Sequence, residues 1–122
     1  MSRQTQAMLL AAVWLSAMPL AAAESSVVRS EVELLLGRLQ ASACRFNRNG
    51  SWYSGRQARD HLTRKLNYLA ARNRVNSAEQ FIELGASASS FSGRPYLVQC
   101  ADQPAVRSRG WLLTELQALR GE

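Results

Sequence analysis

The sequence predicts an α+β domain that is mainly helical, with about four helices, a small antiparallel sheet made of a hairpin and one further strand, and one disulfide bond. Several segments carry apolar residues at helical spacing. An Asn-Gly pair between short aromatic-rich segments predicts the hairpin. Cys44 and Cys100 predict the disulfide bond. A chain of 122 residues predicts one folded domain.

Residues 1–23 show the three-part pattern of a secretory signal peptide. A positive side chain near the start is followed by an apolar run over residues 7–18, and Pro19 then precedes the small residues Ala21–Ala23. The apolar run is shorter than the roughly 20 residues that a membrane-spanning helix needs. We therefore expect cleavage near Ala23, export, and a mature domain of residues 24–122 that is not an integral membrane protein. The alternative is an uncleaved anchor or a buried helix.

The first predicted helix covers residues 31–43. Ser30 and Glu33 form a capping box at its start, in which each side chain bonds to the backbone N–H of the other residue. Residues 24–29 are therefore expected to be a frayed leader. The apolar face of the helix consists of Val32, Leu35, Leu36 and Leu39.

Residues 46–53 are predicted to form the hairpin. Asn49 and Gly50 supply the two positive-φ positions that a tight primed turn needs. The flanking residues favour strands because they include the aromatic side chains of Phe46, Trp52 and Tyr53. The arms are short, so the hairpin needs another surface on which to pack.

The second helix is predicted over residues 55–72, after a capping box that begins at Ser54. On its outer face, Arg56, Asp60 and Arg64 are spaced four residues apart and are expected to form ion pairs. Its buried stripe consists of Ala58, Leu62, Leu66 and Leu69.

Shorter elements complete the chain. Asn76 or Ser77 is expected to cap the third helix, which ends in a serine-rich loop, residues 87–95. Residues 96–100 lie between two prolines and are predicted to form the third strand. Residues 110–120 are predicted to form the fourth helix because their leucines recur at helical spacing.

The two cysteines are expected to pair with each other. Both Cys44 and Cys100 follow the predicted cleavage site, and two cysteines in a small exported domain usually form a disulfide bond. Such a link adds about 4 kcal/mol of stability in the chain-entropy account. The alternative of a reactive thiol or half a metal site has little support, because neither CxxC nor CxxH spacing occurs. We therefore expect no metal site and no cofactor.

Positive charge is concentrated in the middle of the chain. Residues 45–74 contain eight Arg or Lys residues and one acidic residue, Asp60, whereas segments 24–44 and 75–122 each carry a net charge of −1. Such a block attracts anionic partners over about 8 Å at physiological salt. Nucleic acid is the usual partner of a basic protein, but export argues against it. We therefore expect an anionic envelope component or an acidic protein as the partner, and the alternative is a solvated helix face.

One face of the second helix carries candidate functional groups. His61, Lys65 and Tyr68 share that face beside the apolar stripe, so they can line a cleft next to the core. In a functional interpretation, His61 is a general base and Lys65 an anion contact. In the alternative interpretation, His61 is a half-packed boundary residue whose ring bonds locally.

The serine-rich loop offers a second candidate. A small hydrolase would use Ser90 or Ser92 as a nucleophile, with His61 as the adjacent base that such a nucleophile needs. Nothing in the sequence places these side chains together, and GxSxG and SxxK motifs are absent. The alternative is a flexible loop whose serines satisfy their own backbone. We therefore favour a non-catalytic role, with hydrolysis as the alternative.

Segments of the mature chain carry residues that occur together in a known family. They are Cys44-x-Phe46-x-Arg48-Asn49-Gly50-x-x-Tyr53, Ala58-x-x-His61-Leu62-x-x-Lys65, Phe81-Ile82, and Ser89-Ser90-x-Ser92-Gly93-x-Pro95-Tyr96-x-Val98-x-Cys100. This combination resembles the YfeK-like family of small periplasmic proteins of Gram-negative bacteria, a domain of unknown function. The resemblance implies a periplasmic location, supports the pairing of the two cysteines, and supplies no activity.

The same segments contain polar residues that have no evident role in a core. We predict that they gather into one binding site on a non-catalytic binding module. The predicted binding residues are Arg48, Asn49, Tyr53, His61, Lys65, Ser90, Ser92 and Arg94.

Overall fold

A computed structural model describes residues 10–14 and 19–122 of the chain, with the backbone alone at 21–24. Most of the predicted signal peptide therefore lies outside the described residues. No helix in the described part is both long enough and apolar enough to cross a membrane. The elements are α1 (Leu20–Ala41), β1 (Arg45–Arg48), β2 (Ser51–Tyr53), α2 (Gly55–Ala70), α3 (Ala78–Gly85), β3 (Leu97–Gln99), β4 (Val106–Arg107) and α4 (Ser108–Leu119).

The predicted fold class is confirmed, since the helices pack around a small antiparallel sheet. The sheet order is β2-β1-β3-β4, and each neighbouring pair is antiparallel. Its fourth strand, β4, was not predicted, because two residues are too short to show an alternating pattern. β4 pairs with β3 and leads directly into α4, which therefore begins two residues before the predicted position.

The start of the first helix differs from the prediction. α1 begins at Leu20 after Pro19, so residues 24–29 are helical rather than frayed, and the capping box at Ser30 lies within the helix. Tertiary contacts explain the extension. Val28 packs against the core, and the Arg29 guanidinium donates to the side chains of Glu33 at 3.0 Å and Asn67 of α2 at 2.5 Å.

Local signals in the hairpin and in α2 are confirmed. Asn49 and Gly50 have φ values of 52° and 87°, as a primed turn requires. At the start of α2, the Ser54 hydroxyl accepts a hydrogen bond from the Gln57 backbone, and the Gln57 side chain accepts one from the Ser54 backbone. Ser77, one of the two predicted caps, accepts from the backbone of Gln80 at the start of α3.

The disulfide bond is confirmed. Cys44 and Cys100 are joined, with a Cα–Cα distance of 4.3 Å. Cys44 follows α1 and precedes β1, and Cys100 follows β3, so the bond joins the end of the first helix to the middle of the sheet. The link joins residues 56 positions apart and closes a loop that contains the hairpin, α2, α3 and β3.

The core lies between the helices and one face of the sheet. Each helix contributes apolar side chains at helical spacing, including the whole stripe predicted for α2. The largest fully buried side chains are Tyr96, Phe46, Phe81, Leu35, Leu36, Leu39, Leu62, Leu66, Ile82, Leu112, Leu116 and Val32. α1 and α2 pack closely, since a Cβ added to Gly55 would lie 2.9 Å from the carbonyl oxygen of Leu39.

The serine-rich loop is a closed turn rather than an unstructured segment. The backbone of Ser89 donates to the carbonyl of Arg94 at 3.0 Å, and Gly93 donates back to the carbonyl of Ser89 at 3.0 Å. An isolated bridge joins Ala88 and Pro95 at the base of the turn. These backbone bonds therefore close the loop on itself, and Phe91 lies at its tip, fully exposed.

Candidate functional site

A cavity of about 770 Å³ lies between the hairpin, α2 and the serine-rich loop. This volume is within the range of about 300–1,000 Å³ that is usual for small-molecule sites. The lining residues are Arg48, Asn49, Ser51, Tyr53, His61, Arg64, Lys65, Tyr68, Leu69, Arg74, Leu84, Ser89, Ser90, Phe91 and Tyr96.

Arg48 and His61 form a contact across the cavity wall. Arg48 ends β1, and its Nη1 lies 2.6 Å from His61 Nδ1 and 3.2 Å from His61 Nε2 on α2. A guanidinium only donates hydrogen bonds, so His61 Nδ1 accepts and carries no proton. The network thus assigns the ring hydrogen to Nε2.

The Tyr96 hydroxyl is the shared hydrogen-bond partner of His61 and Lys65 at the floor of the cavity. It lies 3.2 Å from His61 Nε2 and 3.2 Å from Lys65 Nζ. Both partners donate, so the two lone pairs of the Tyr96 oxygen are used and its own O–H is left to donate elsewhere. Lys65 also donates to the carbonyl of Ala88 at 3.3 Å, which leaves its third N–H unused among the described residues.

Burial and neighbouring cations keep His61 neutral. Desolvation, followed by the charges of Arg48, Lys65 and Arg64, lowers the pKa of His61 to about 4. Desolvation and the charge of Arg48 also lower the pKa of Lys65. Burial raises the pKa of Tyr96, with Arg48 acting against it. At neutral pH, His61 and Tyr96 are therefore neutral donors beside the Arg48 cation.

The cavity is strongly basic. Its lining includes the cations Arg48, Arg64, Lys65 and Arg74, and none of the described residues that line it is Asp or Glu. No ion pair within 4.0 Å involves these four cations in the described part of the chain. The expected ion pair between Arg64 and Asp60 is therefore wrong, because Arg64 lines the cavity instead.

A smaller cavity lies on the other side of the Arg48–His61 contact. Its volume is about 240 Å³. Arg48, Tyr53, His61 and Arg64 line both cavities, so these side chains form the partition between them. Tyr53 stands beneath Arg48, whose guanidinium carbon is 4.9 Å from the centre of the tyrosine ring. A hydrogen bond from Arg48 lowers the pKa of the Tyr53 hydroxyl.

Asn49 connects the hairpin to the serine-rich loop. Its amide nitrogen donates to Ser89 Oγ at 3.2 Å, and its amide oxygen accepts from Ser92 Oγ at 2.6 Å. Ser89 is 6% exposed, and its hydroxyl also accepts from the backbone N–H groups of Phe91 and Ser92. Asn49 thus links the hairpin turn to the serine-rich loop at the edge of the cavity.

The structure brings most of the predicted binding residues together. Six of the eight line the larger cavity. Ser92 is outside the lining and bonds to Asn49, and Arg94 lies against the Asn49-Gly50 turn, since a Cβ on Gly50 would be 3.7 Å from its Nη1. The face predicted for His61, Lys65 and Tyr68 does line a cleft beside the core. Whether these residues bind a ligand stays a prediction.

Sequence reasoning missed several residues of the cavity. The sequence predicts only a strand at Tyr96, and nothing in its neighbourhood indicates that its hydroxyl meets α2. The helical spacing puts Arg64 on the outer face of α2, and Arg74 lies beyond the helix. The apolar side chains Leu84 and Phe91 also line the cavity. Pro95-Tyr96 in the family pattern was the one signal that could have drawn attention to the tyrosine.

The contacts of His61 argue against the hydrolase alternative. Arg48 occupies Nδ1 of His61, and Nε2 faces the hydroxyl of Tyr96. Among the described residues, no serine hydroxyl is hydrogen-bonded to His61, although Ser90 lines the same cavity. In this arrangement, neither ring nitrogen is available as a base for a serine. The described residues also contain no cluster of three or more His, Cys, Asp or Glu side chains that could hold a metal ion.

The fold and the cavity together define a small disulfide-linked α+β domain with a basic, donor-lined cavity. The sequence profile described as "Family of unknown function (DUF5329)" matches residues 26–120, and the chain belongs to this family. A relative, "Uncharacterized protein YfeK" of Salmonella typhimurium, is 47% identical over 51 residues. These residues are 42% of this chain and 41% of the relative, so the match spans about two fifths of the relative's length. No solved structure matches the chain.

These comparisons confirm the resemblance to YfeK-like proteins. They assign no activity, because the family and the relative are both described as uncharacterised or of unknown function. The function therefore has to be argued from the cavity.

Proposed function

We propose that this protein is an exported, periplasmic, non-catalytic binding module that holds an anionic group of an envelope component in the basic cavity. The observation that carries the proposal is the hydrogen-bonding character of the floor. Arg48 and Lys65 only donate, His61 presents its ring N–H to Tyr96, and the hydroxyl proton of Tyr96 has no acceptor left within this network.

The charge of the lining favours an anion over a neutral ligand. Four cations face the cavity without a carboxylate among the described lining residues. Like charges placed close together raise the free energy of the empty site, and a bound anion relieves that repulsion. Arg48 also presents a planar fork that suits the paired oxygens of a carboxylate or a phosphate.

The neutral state of His61 supports the same proposal. A charged imidazole would oppose Arg48 at 2.6 Å, and the lowered pKa removes that charge at neutral pH. His61 then acts as a positioning residue, which accepts from Arg48 and donates to Tyr96. Its role is to orient the donors of Arg48 and Tyr96 towards the cavity, and this role requires no proton transfer.

The concave shape favours a small group over an acidic protein surface. A cavity of about 770 Å³ suits a ligand group that enters between the hairpin, α2 and the loop. An acidic protein would have to insert a single carboxylate side chain to reach Tyr96, which is 2% exposed. We therefore place the envelope component first and the acidic protein second.

Export is supported by two features of the chain. The first 23 residues carry the signal-peptide pattern, and the disulfide bond between Cys44 and Cys100 is compatible with an oxidising compartment. In that compartment, anionic head groups and cell-wall carboxylates are accessible and nucleic acid is not the expected partner.

Titration calorimetry with inorganic phosphate as the probe tests the proposal. We expect binding that weakens as salt is raised from 20 to 500 mM, because screening reduces the attraction between charges. Arg48→Gln and Lys65→Gln should each weaken binding about tenfold, a loss of about 1.4 kcal/mol. The matched control is Arg59→Gln, which removes the same charge from α2 on the side that contacts Gln40 of α1.

The control distinguishes binding inside the cavity from attraction to the overall positive charge of the protein. Arg59→Gln should change the affinity by less than about twofold, because Arg59 does not line either cavity wall described above. Binding that ignores salt, or equal losses in all three variants, would contradict the assignment of the anion to this cavity.

A further inference from the structure

The lining of the larger cavity is chemically mixed. Its floor is formed by the donors around Tyr96, as described above. Apolar and aromatic side chains from α2, α3 and the serine-rich loop also line it, and these form its apolar rim: Tyr68, Leu69, Leu84 and Phe91. A ligand that fills the cavity therefore meets both charged and apolar side chains.

Phe91 is the most exposed large hydrophobic side chain of the loop, at 101% of its reference area. A single exposed apolar residue is common on protein surfaces. Here, however, Tyr68 is also 57% exposed and lies on the same rim. Grouped aromatic side chains beside a polar pocket are typical of small-molecule sites.

Hydrogen bonds to the hydroxyl of the buried Ser89 hold the position of Phe91. The hydroxyl of Ser89 accepts from the backbone N–H of Phe91 at 3.2 Å and from the amide of Asn49 at 3.2 Å. The loop backbone is closed by the bonds between Ser89, Gly93 and Arg94. An exposed phenyl ring on an ordered turn loses less conformational entropy on binding than one on a flexible loop.

The charge of the cavity indicates the kind of anion. Arg48, Arg64, Lys65 and Arg74 all line it. A carboxylate brings one negative charge, whereas a phosphate monoester brings about 1.5 to 2 at neutral pH and three acceptor oxygens. Three acceptor oxygens match three donors on the floor: the Tyr96 hydroxyl, the remaining N–H of Lys65 and the Arg48 guanidinium.

We infer that the ligand is a phosphate monoester with an apolar organic group, an inference that rests on the proposed anion-binding function. The phosphate binds Arg48, Lys65 and Tyr96 on the floor. The organic group packs against Leu84 and Phe91. An alkyl group would identify a lipid phosphate as the source, and an aryl group would identify an aromatic metabolite.

Calorimetry with matched probes tests the inference on the protein expressed from the full chain. The probes are inorganic phosphate, phenyl phosphate, octyl phosphate below its micelle concentration, and octanoate. We expect at least one phosphate ester to bind about tenfold more tightly than inorganic phosphate, because burial of an apolar group is favourable. Octanoate should bind less tightly than octyl phosphate, because it carries less charge.

Variants at the rim give the second readout. Phe91→Ser should reduce the ratio of ester affinity to inorganic phosphate affinity by about fivefold. The Phe91 side chain is fully exposed, so its replacement should change the free energy of unfolding by less than about 0.5 kcal/mol. The matched control is Leu34→Ser, an exposed apolar residue of α1 that is 60% exposed and outside this cavity. The control should leave the ratio unchanged.

The outcomes separate this inference from the proposed function. Inorganic phosphate that binds as tightly as both esters, or an ester preference unchanged in Phe91→Ser, overturns the amphiphilic ligand and leaves anion binding intact. Octanoate that equals octyl phosphate overturns the choice of phosphate. If no probe binds, the proposed function fails as well. A preference for octyl phosphate indicates a lipid source, and one for phenyl phosphate an aromatic source.

Discussion

The cations of this domain occur in two different settings. On the side formed by α1 and α4, Arg38 pairs with Glu115 at 2.8 Å, and Arg120 contacts both Glu31 and Glu79 at 2.6 Å. In the cavity beside α2, Arg48 and Lys65 instead contact a histidine, tyrosines and a carbonyl. The first group of cations forms ion pairs between helices, whereas Arg48 and Lys65 lie beside neutral groups and form no ion pair among the described residues.

The difference shows that net charge alone does not indicate which cations of this chain are paired and which line the cavity. A simple count gives a basic block over residues 45–74. Within that block, Arg59 bonds to Gln40 and Arg72 covers the ring of Tyr68 at 3.5 Å. Only some of the basic residues are directed at the cavity, and their neighbours, not their number, distinguish them. Four predictions test this distinction, and they follow from the largest expected effect to the smallest.

The disulfide bond joins the two regions, so its removal should have the largest effect on stability. Replacing Cys44 and Cys100 together by Ala should lower the free energy of unfolding by about 4 kcal/mol, because the loop closed between residues 56 positions apart regains entropy in the unfolded chain. Urea denaturation of the double variant measures the loss. An unchanged denaturation midpoint would mean that the loop is constrained without the bond.

Removing the hydroxyl of Tyr96 should disturb the cavity floor. Tyr96→Phe deprives the half-buried donors of His61 and Lys65 of a shared acceptor, and leaving them unpaired costs up to about 1–3 kcal/mol. The matched control is Tyr68→Phe, which removes a hydroxyl from a residue that is 57% exposed. Thermal denaturation should show a lower midpoint for Tyr96→Phe alone. Equal midpoints in both variants would contradict the role of Tyr96 as the shared acceptor of His61 and Lys65.

Acidification should destabilise the cavity side through His61. The pKa of His61 is about 4 in the folded protein and about 6.5 when unfolded, so the unfolded state takes up the proton first. Stability should therefore be unaffected above pH 6.5 and fall as the pH drops towards 4. The full shift corresponds to about 3 kcal/mol, and partial exposure of the ring reduces the expected loss to about 1–2 kcal/mol.

Urea denaturation at several pH values measures this slope. His61→Gln should flatten the profile between pH 6.5 and 4, because glutamine does not titrate. The decrease below pH 4.5 should persist in the variant, since it belongs to carboxylates such as Glu31, whose pKa is lowered by its hydrogen bond with Arg120. An identical slope in both proteins would show that His61 does not cause the loss of stability between pH 6.5 and 4.

The smallest effect is expected where cations are already paired. Arg120→Gln removes the contacts with Glu31 and Glu79, and exposed ion pairs contribute about 0–1 kcal/mol each. We expect a loss of about 1 kcal/mol in urea denaturation and no change in phosphate affinity. A fall in affinity comparable to that of Arg48→Gln would show that the two groups of cations do not differ in function.

Elements with strong local signals were predicted correctly. The Asn49-Gly50 turn depends on two backbone conformations that asparagine and glycine tolerate, and both positive φ values are present. The capping box at Ser54 and Gln57 depends on residues three positions apart. Such signals require no knowledge of the rest of the fold, so the sequence determines them.

Elements that depend on distant contacts were missed or misplaced. The capping box at Ser30 and Glu33 did not start α1, because Val28 and Arg29 are held to the core and to α2. β4 is too short to be recognised and exists because β3 pairs with it. In both cases the decisive contact is with another element: α2 lies 38 residues away from Arg29, and β3 lies 8 to 10 residues from its partners in β4.

The candidate site divides in the same way. The sequence by itself determined that His61, Lys65 and Tyr68 share one face, because the period of an α-helix places them there. It also determined the two cysteines that pair and the charge of the central segment. Only the tertiary structure decided that Tyr96 and Arg48 reach His61, because those contacts span 35 and 13 residues and depend on how the sheet packs against α2.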